Sequence, residues 1–345
     1  MDQVVTIDAL RKTYGTVIAA DDVAFEVNRG EVFGIVGPNG AGKTTVVECI
    51  SGLRRPDAGR VRVLGLDPHA DRYAVRERIG VQLQAAALPD ALRVGEAVTL
   101  FASFYPHAGD PMEALRWVGL EERRAARVAA LSGGQRQRLF IALALVHEPE
   151  VVLLDELTTG LDPQARRDAW ALVRQIRERG ASVILTTHFM EEAERLCDRV
   201  AIVDSGRVVA LDSVGRLIAS LGEERRVTFT YADVLDEERL RGLSGVVRLE
   251  RVGDRVIVSV RGVGAAGRVT TALEEAGVAF DELRVERPTL EDVFLARTGG
   301  ARTDGGRTGG GRAGSGCAGG TRSDGTRSAG TGLAGTRSAG DAPAA

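Results

Sequence analysis

The chain has 345 residues, 44% of them hydrophobic, and a formal net charge of −3. That length suits one large domain and a smaller one, while the near-neutral charge removes any global electrostatic case for nucleic acid or anionic lipid. No apolar run approaches the roughly eighteen residues of a membrane span. No charged leader or apolar core precedes Val4-Val5-Thr6-Ile7, and Cys49, Cys197 and Cys317 lack metal spacing, so a soluble chain in a reducing cytosol is expected.

Residues 1–222 alternate strand and helix patterns. Strands are predicted at 4–10, 23–27, 31–36, 60–64, 79–83, 151–155, 182–186, 200–203 and 208–211. The all-apolar runs Val151-Val152-Leu153-Leu154 and Val183-Ile184-Leu185 suit strands buried on both faces of a parallel sheet. Helices are predicted at 43–53 and 136–147, and a third opens at Asp162-Pro163 and ends at Gly180. Residues 85–130 lack strand signals and read as a helical insertion. From 223 to 298 the order strand, helix, hairpin, helix, strand describes a small ferredoxin-like α+β unit. A short helix follows Pro288, with Thr289 and Asp292 in capping-box positions. Residues 299–345 are rich in Gly, Ala, Arg, Ser and Thr, with pentads such as Thr-Arg-Ser-Ala-Gly, and are expected to be disordered.

Lys12 and Lys43 are the only lysines among 45 basic residues. Lys43 escapes the arginine bias inside Gly37-Pro38-Asn39-Gly40-Ala41-Gly42-Lys43-Thr44-Thr45, a G-x-x-x-x-G-K-[ST] phosphate loop following a predicted buried strand. A compact ammonium reaches between phosphate oxygens where a planar guanidinium fits poorly. The glycines turn backbone N–H groups inward, the next helix points its positive end at the phosphates, and Thr44 supplies a hydroxyl for Mg²⁺.

Asp155 and Glu156 end a buried strand, where doubly wound sheets hold their ligands. Their side chains point opposite ways, so Asp155 suits the Mg²⁺ shell and Glu156 the polarisation of an attacking water. Alone, the pair equally describes two solvated acids at a strand end. Leu131-Ser132-Gly133-Gly134-Gln135 precedes a long helix whose N-terminal amides can bind a second phosphate, though the run also describes a well-capped helix.

Together G-P-N-G-A-G-K-T, L-S-G-G-Q-R-Q-R, V-V-L-L-D-E and T-T-H, in this order, resemble the nucleotide-binding subunit of an ATP-binding cassette (ABC) transporter over about residues 3–220. The resemblance implies an α/β phosphate-loop NTPase cassette and two subunits facing head to tail. Each ATP would lie between one phosphate loop and the partner's Ser132, Gly133, Gly134 and Gln135. It further implies that Tyr14 stacks on adenine, that Gln84 senses Mg²⁺ and water, that Asp162 couples the two sites, and that His188 contacts the γ-phosphate. Tyr14 also reads as a surface tyrosine, and Gln82 is the alternative register for Gln84. His69, His107 and His147 read as structural. Arg287-Pro288-Thr289-Leu290-Glu291-Asp292-Val293-Phe294 resembles the ending of drug-exporter ATPases of the daunorubicin type.

The implied function is ATP hydrolysis driving drug-like efflux through a separate membrane permease, from a homodimer held at the inner face of the membrane, with ATP and Mg²⁺ as cofactors and no nucleic-acid partner. The alternative is a non-transport cassette ATPase acting on ribosomes or nucleic-acid complexes. An RNA-binding role for the tail is disfavoured by its lack of interleaved aromatics. One position departs from the family pattern: Leu157 stands where proline usually follows the glutamate. Leu157→Pro is expected to change turnover by less than about tenfold, or ~1.4 kcal/mol of barrier.

Overall fold

The computed structural model describes residues 2–84, 87–222, 224–231 and 235–298, and the expected disordered tail lies outside them. In chain order the first elements are β1 (Gln3–Tyr14), β2 (Val17–Asn28), β3 (Val32–Val36), α1 (Lys43–Ile50), β4 (Ala58–Val63), α2 (Arg72–Arg76) and β5 (Ile79–Gln82). Next come α3 (Val94–Ala102), α4 (Pro111–Trp117), α5 (Gly133–Leu145), β6 (Val151–Asp155), α6 (Pro163–Glu178), β7 (Ser182–Thr187), α7 (Met190–Leu196), β8 (Arg199–Asp204), β9 (Arg207–Ser213) and α8 (Val214–Ala219). The last are β10 (Glu224–Tyr231), α9 (Glu237–Arg241), β11 (Val246–Val252), β12 (Arg255–Arg261), α10 (Ala265–Glu275), β13 (Phe280–Glu286) and α11 (Leu290–Thr298).

A six-stranded sheet of order β5-β6-β7-β3-β8-β9 forms the centre. Its first five strands are mutually parallel, and β9 adds an antiparallel edge. Every residue of β3, β6 and β7 is buried, because both faces are covered. One face packs on α3 to α8. The other packs on α1 and on an antiparallel sheet of order β2-β1-β4. The residues between β5 and α5 carry α3 and α4, as the insertion pattern predicts, and an isolated bridge between Arg93 and Arg127 closes its base.

Several boundaries differ from the sequence reading, each for a local reason. β1 runs on to Tyr14 because residues 12–14 pair with 17–20 across a turn that Gly15 makes at φ 59°. α5 begins at Gly133 rather than 136, because Ser132 and Gln135 close a reciprocal capping box. His147 lies just beyond α5, buried, with Nε2 3.0 Å from the Ile79 carbonyl and its ring stacked 3.8 Å from Tyr105. Burial pushes it toward the neutral form. Cys49 and Cys197 are buried free thiols; desolvation raises Cys49 to about 11.

The strands after 222 form a separate antiparallel sheet of order β11-β12-β10-β13, with α9 and α10 against a small apolar core. The small unit was expected to span 223–298, yet the core contacts of α11 lie outside this sheet: Leu290 and Val293, fully buried, join the core cluster of α3 to α8. The Leu290 amide donates to Glu194 on α7 at 2.6 Å, while Arg226 on β10 pairs with Asp292. The apolar positions of this short helix therefore face the large domain. Among the described residues no helix is long and apolar enough to cross a membrane.

At Gly80, β5 touches α5 so closely that an added Cβ would lie 2.0 Å from the Ala144 carbonyl oxygen. Gly80→Ala is expected to lower stability by about 1–3 kcal/mol through overpacking, read as a reduced urea midpoint at unchanged slope.

Candidate active site

The phosphate loop leaves the C-terminal end of β3. The Gly37 amide donates to the Thr187 carbonyl at 3.2 Å, and Gly42, at φ 102°, turns the chain into α1. Alanine there would be strained, and its Cβ would meet the Ala19 carbonyl at 2.0 Å. Lys43 is 4% exposed, and its ammonium donates to the Gly37 and Pro38 carbonyls at 2.9 Å each. Desolvation pushes its pKa down, against the opposing pull of Glu156 and Asp155. Ala41 and Thr45 are buried beneath the loop, while Pro38, Asn39 and Gly40 face solvent.

The two acids at the end of β6 meet different surroundings. Asp155 is fully buried; its Oδ1 accepts from the Thr186 hydroxyl and, at 3.4 Å, from the Thr44 hydroxyl. Its Oδ2 is buried with no partner. Burial raises its pKa, and the two hydroxyls oppose the rise. Glu156 leaves the strand in the left-handed region, φ 50°. Its Oε2 accepts from Gln84 Nε2 at 2.9 Å and from the Thr159 hydroxyl at 3.3 Å. Its Oε1 lies 3.7 Å from the Lys43 ammonium and 3.6 Å from His188 Nδ1. The structure thus brings Lys43, Thr44, Gln84, Asp155, Glu156 and His188 together. Gln82 is buried away from this group, with Nε2 bonded to the Leu83 carbonyl, so Gln84 and not Gln82 reaches the acids.

Tyr14, 40% exposed, stands with Asn39, Gly40, Lys43 and Gln84 around an open cleft of about 430 Å³, within the size range of small-molecule sites. Lys12 and Arg54 each lie 5.8 Å from its ring centroid. Sequence reasoning missed Asp57, which holds this turn. One carboxylate oxygen accepts from Lys12 at 2.8 Å, and the other from the Thr13 amide and hydroxyl at 2.7 Å each. Those bonds, the Lys12 one foremost, depress its pKa to about 2. Forty-four residues separate Asp57 from Thr13, so no local pattern reveals the clamp.

Ser132, Gly133, Gly134, Gln135 and Asp162 do not line the cleft. Ser132 Oγ accepts from the Gln135 amide at 3.2 Å. Asp162 Oδ1 caps α6 by accepting from the Gln164 and Ala165 amides at 2.9 Å, which lowers its pKa. Both residues serve helix termini within their own chain.

Leu157 is 2% exposed and belongs to the core cluster. Proline there would remove that packing and would drive Glu156 from its left-handed backbone toward extended geometry. The sign of Leu157→Pro is therefore downward in both stability and turnover, the turnover change staying under about tenfold; a gain in phosphate release would contradict it. Asp57→Ala is expected to raise KM for ATP several-fold with kcat unchanged, in steady-state assays.

A family model described as ABC transporter matches residues 20–159. The daunorubicin resistance ATP-binding protein DrrA3 of Streptomyces coeruleorubidus is 40% identical over 312 residues, covering 86% of this chain and 96% of that protein. The Nod factor export ATP-binding protein I of Ralstonia nicotianae is 36% identical over 306 residues, covering 86% and 94%. A dimeric ATP-binding cassette solved in a post-hydrolysis state with ADP and phosphate superposes with a TM-score of 0.54 at 28% identity, covering 61% of this chain and 98% of that one. The chain belongs to the ABC transporter family, as an ATP-binding subunit that hydrolyses ATP.

Proposed function

We propose that this ATPase powers export of a drug-like or other amphipathic compound through a separate membrane permease. The observation that carries the reading is the similarity to a drug-resistance ATP-binding protein along 96% of that protein's length, the small unit after the cassette included. We read that unit as a ferredoxin-like accessory domain, on its helix and strand order and its antiparallel pairing.

Lys43 exchanges its bonds to the loop carbonyls for phosphate oxygens when ATP enters. Glu156 takes the proton of the attacking water, oriented by Gln84, while His188 contacts the γ-phosphate. The bare, buried Oδ2 of Asp155, on a carboxylate whose other oxygen accepts from the Thr44 hydroxyl, suits a divalent cation. Thr44, Asp155 and Gln84 would hold Mg²⁺, which supplies neutralisation of phosphate charge. Tyr14 stacks on the base.

Because Ser132 to Gln135 and Asp162 lie off the cleft, the site is completed by a second copy in head-to-tail arrangement, and the dimeric state of a 28% identical cassette supports this. Beside Gln84, an apolar groove between the sheet and the insertion is lined by Leu53, Phe101, Tyr105 and Phe140, with Leu100 and Phe104 exposed nearby. A cytosolic segment of the permease docks there, which places the subunit on the inner face of the membrane. ATP binding favours the closed dimer, and hydrolysis reverses that population shift.

Glu156→Gln is expected to hold an ATP-bound dimer in gel filtration, and continued rapid turnover would refute the base assignment. Tagged and recovered from its native cells with Mg-ATP in mild detergent, this variant should co-purify a multi-span membrane protein. Ribosomes or nucleic acid without a membrane protein would instead establish the non-transport alternative. Deleting 299–345 should leave ATP hydrolysis unchanged.

A further inference from the structure

Thr186 follows the apolar buried run Val183-Ile184-Leu185 on β7 and is itself fully buried. On β7 it stands directly beside Asp155 in the parallel register. Its hydroxyl contacts both acids at once: it bonds to Asp155 Oδ1 and lies 3.0 Å from the Glu156 amide nitrogen. A hydroxyl carries one hydrogen and two lone pairs, whereas an amide N–H can only donate. The direction is therefore fixed, with Glu156 N–H donating to Thr186 and Thr186 donating to Asp155. The Thr44 hydroxyl also addresses Oδ1, so that oxygen is taken by two donors while Oδ2 has none.

We propose that Thr186 is a positioning residue that sets which oxygen of Asp155 faces the metal and fixes the left-handed backbone from which Glu156 reaches the cleft. The inference rests on the reading of Asp155 as the metal-shell acid and Glu156 as the base. Glu156 has left the regular strand, and its amide is held only through Thr186, by the hydroxyl and by the carbonyl at 3.2 Å. Without the hydroxyl, Asp155 keeps only the 3.4 Å bond from Thr44 and can rotate either oxygen toward Thr44 or the cation. One buried hydroxyl thus sets the geometry of two acids with different tasks, which a valine of the same shape could not do.

The test is a titration of the ATP-bound full chain with Mn²⁺, read by the electron paramagnetic resonance of the free ion, alongside ATP affinity in EDTA. Thr186→Val should weaken Mn²⁺ binding by about tenfold or more and leave metal-free ATP affinity within about twofold. Thr186→Ser, which restores the hydroxyl, should recover Mn²⁺ affinity. The Mg²⁺ concentration for half-maximal turnover should rise in parallel for Thr186→Val. Unchanged Mn²⁺ affinity in Thr186→Val, with affinity lost in Asp155→Asn, would overturn the role of Thr186 while leaving the acid assignments intact. Unchanged affinity in Asp155→Asn would overturn the assignments and this proposal with them. Should Thr186→Val fail to bind ATP in EDTA, Thr186→Ala, which adds no methyl group, takes its place in the same titration.

Discussion

One ammonium and two carboxylates are held nearly out of water at the ends of β3 and β6, and the site is built around the difficulty of keeping them there. Isolated charges in such a place are strongly unfavourable unless each is paired and hydrogen-bonded. Lys43 meets the condition with two loop carbonyls and the nearby Glu156. Asp155 meets it with two hydroxyls, and Glu156 with an amide, a hydroxyl and its two basic neighbours. The parallel sheet makes this possible because neighbouring strands end together. Residues far apart in sequence, from the phosphate loop to the turn after β7, thus converge within a few ångströms.

The same constraint explains which parts of the site could be read from the sequence. Lys43 was legible because its chemistry overrode a chain-wide preference for arginine. The two acids were legible because they end an unbroken apolar run, whereas the choice of Gln84 over Gln82 came from the family resemblance, since residues two apart on a strand share a face. Asp57 and Thr186 were not legible. Each acts across the fold on a residue at least thirty positions away, and neither occupies a local pattern that differs from ordinary turn or strand composition. The start of α5 was placed late because glycines weigh against helix in propensity terms, whereas a reciprocal cap outweighs them locally. The destination of α11 was also hidden: its capping box announces a helix, but nothing in nine residues states which core receives Leu290 and Val293.

The cleft and the capped helices show a division of tasks within one chain. Residues that would meet the triphosphate from the loop side sit at the start of α1 and just past the ends of β5, β6 and β7. Ser132 and Asp162 sit at helix N-termini, where their side chains already accept from first-turn amides of α5 and α6. An anion arriving at Ser132 therefore finds an ordered terminus with a positive dipole end, and needs no rearrangement of the helix to be received. Order of this kind reduces the conformational entropy lost when two surfaces meet.

The return of α11 to the cassette also has a consequence in time. Leu290 and Val293 fill part of the core shared by α3 to α8, yet they are among the last described residues to be synthesised. During translation the large domain must wait, with that part of its interior open, while the entire small sheet is made and folds in between. At about 5–20 residues per second the wait lasts several seconds, and for that interval the nascent chain presents an apolar notch on the side of α7 and α8 that α11 later fills.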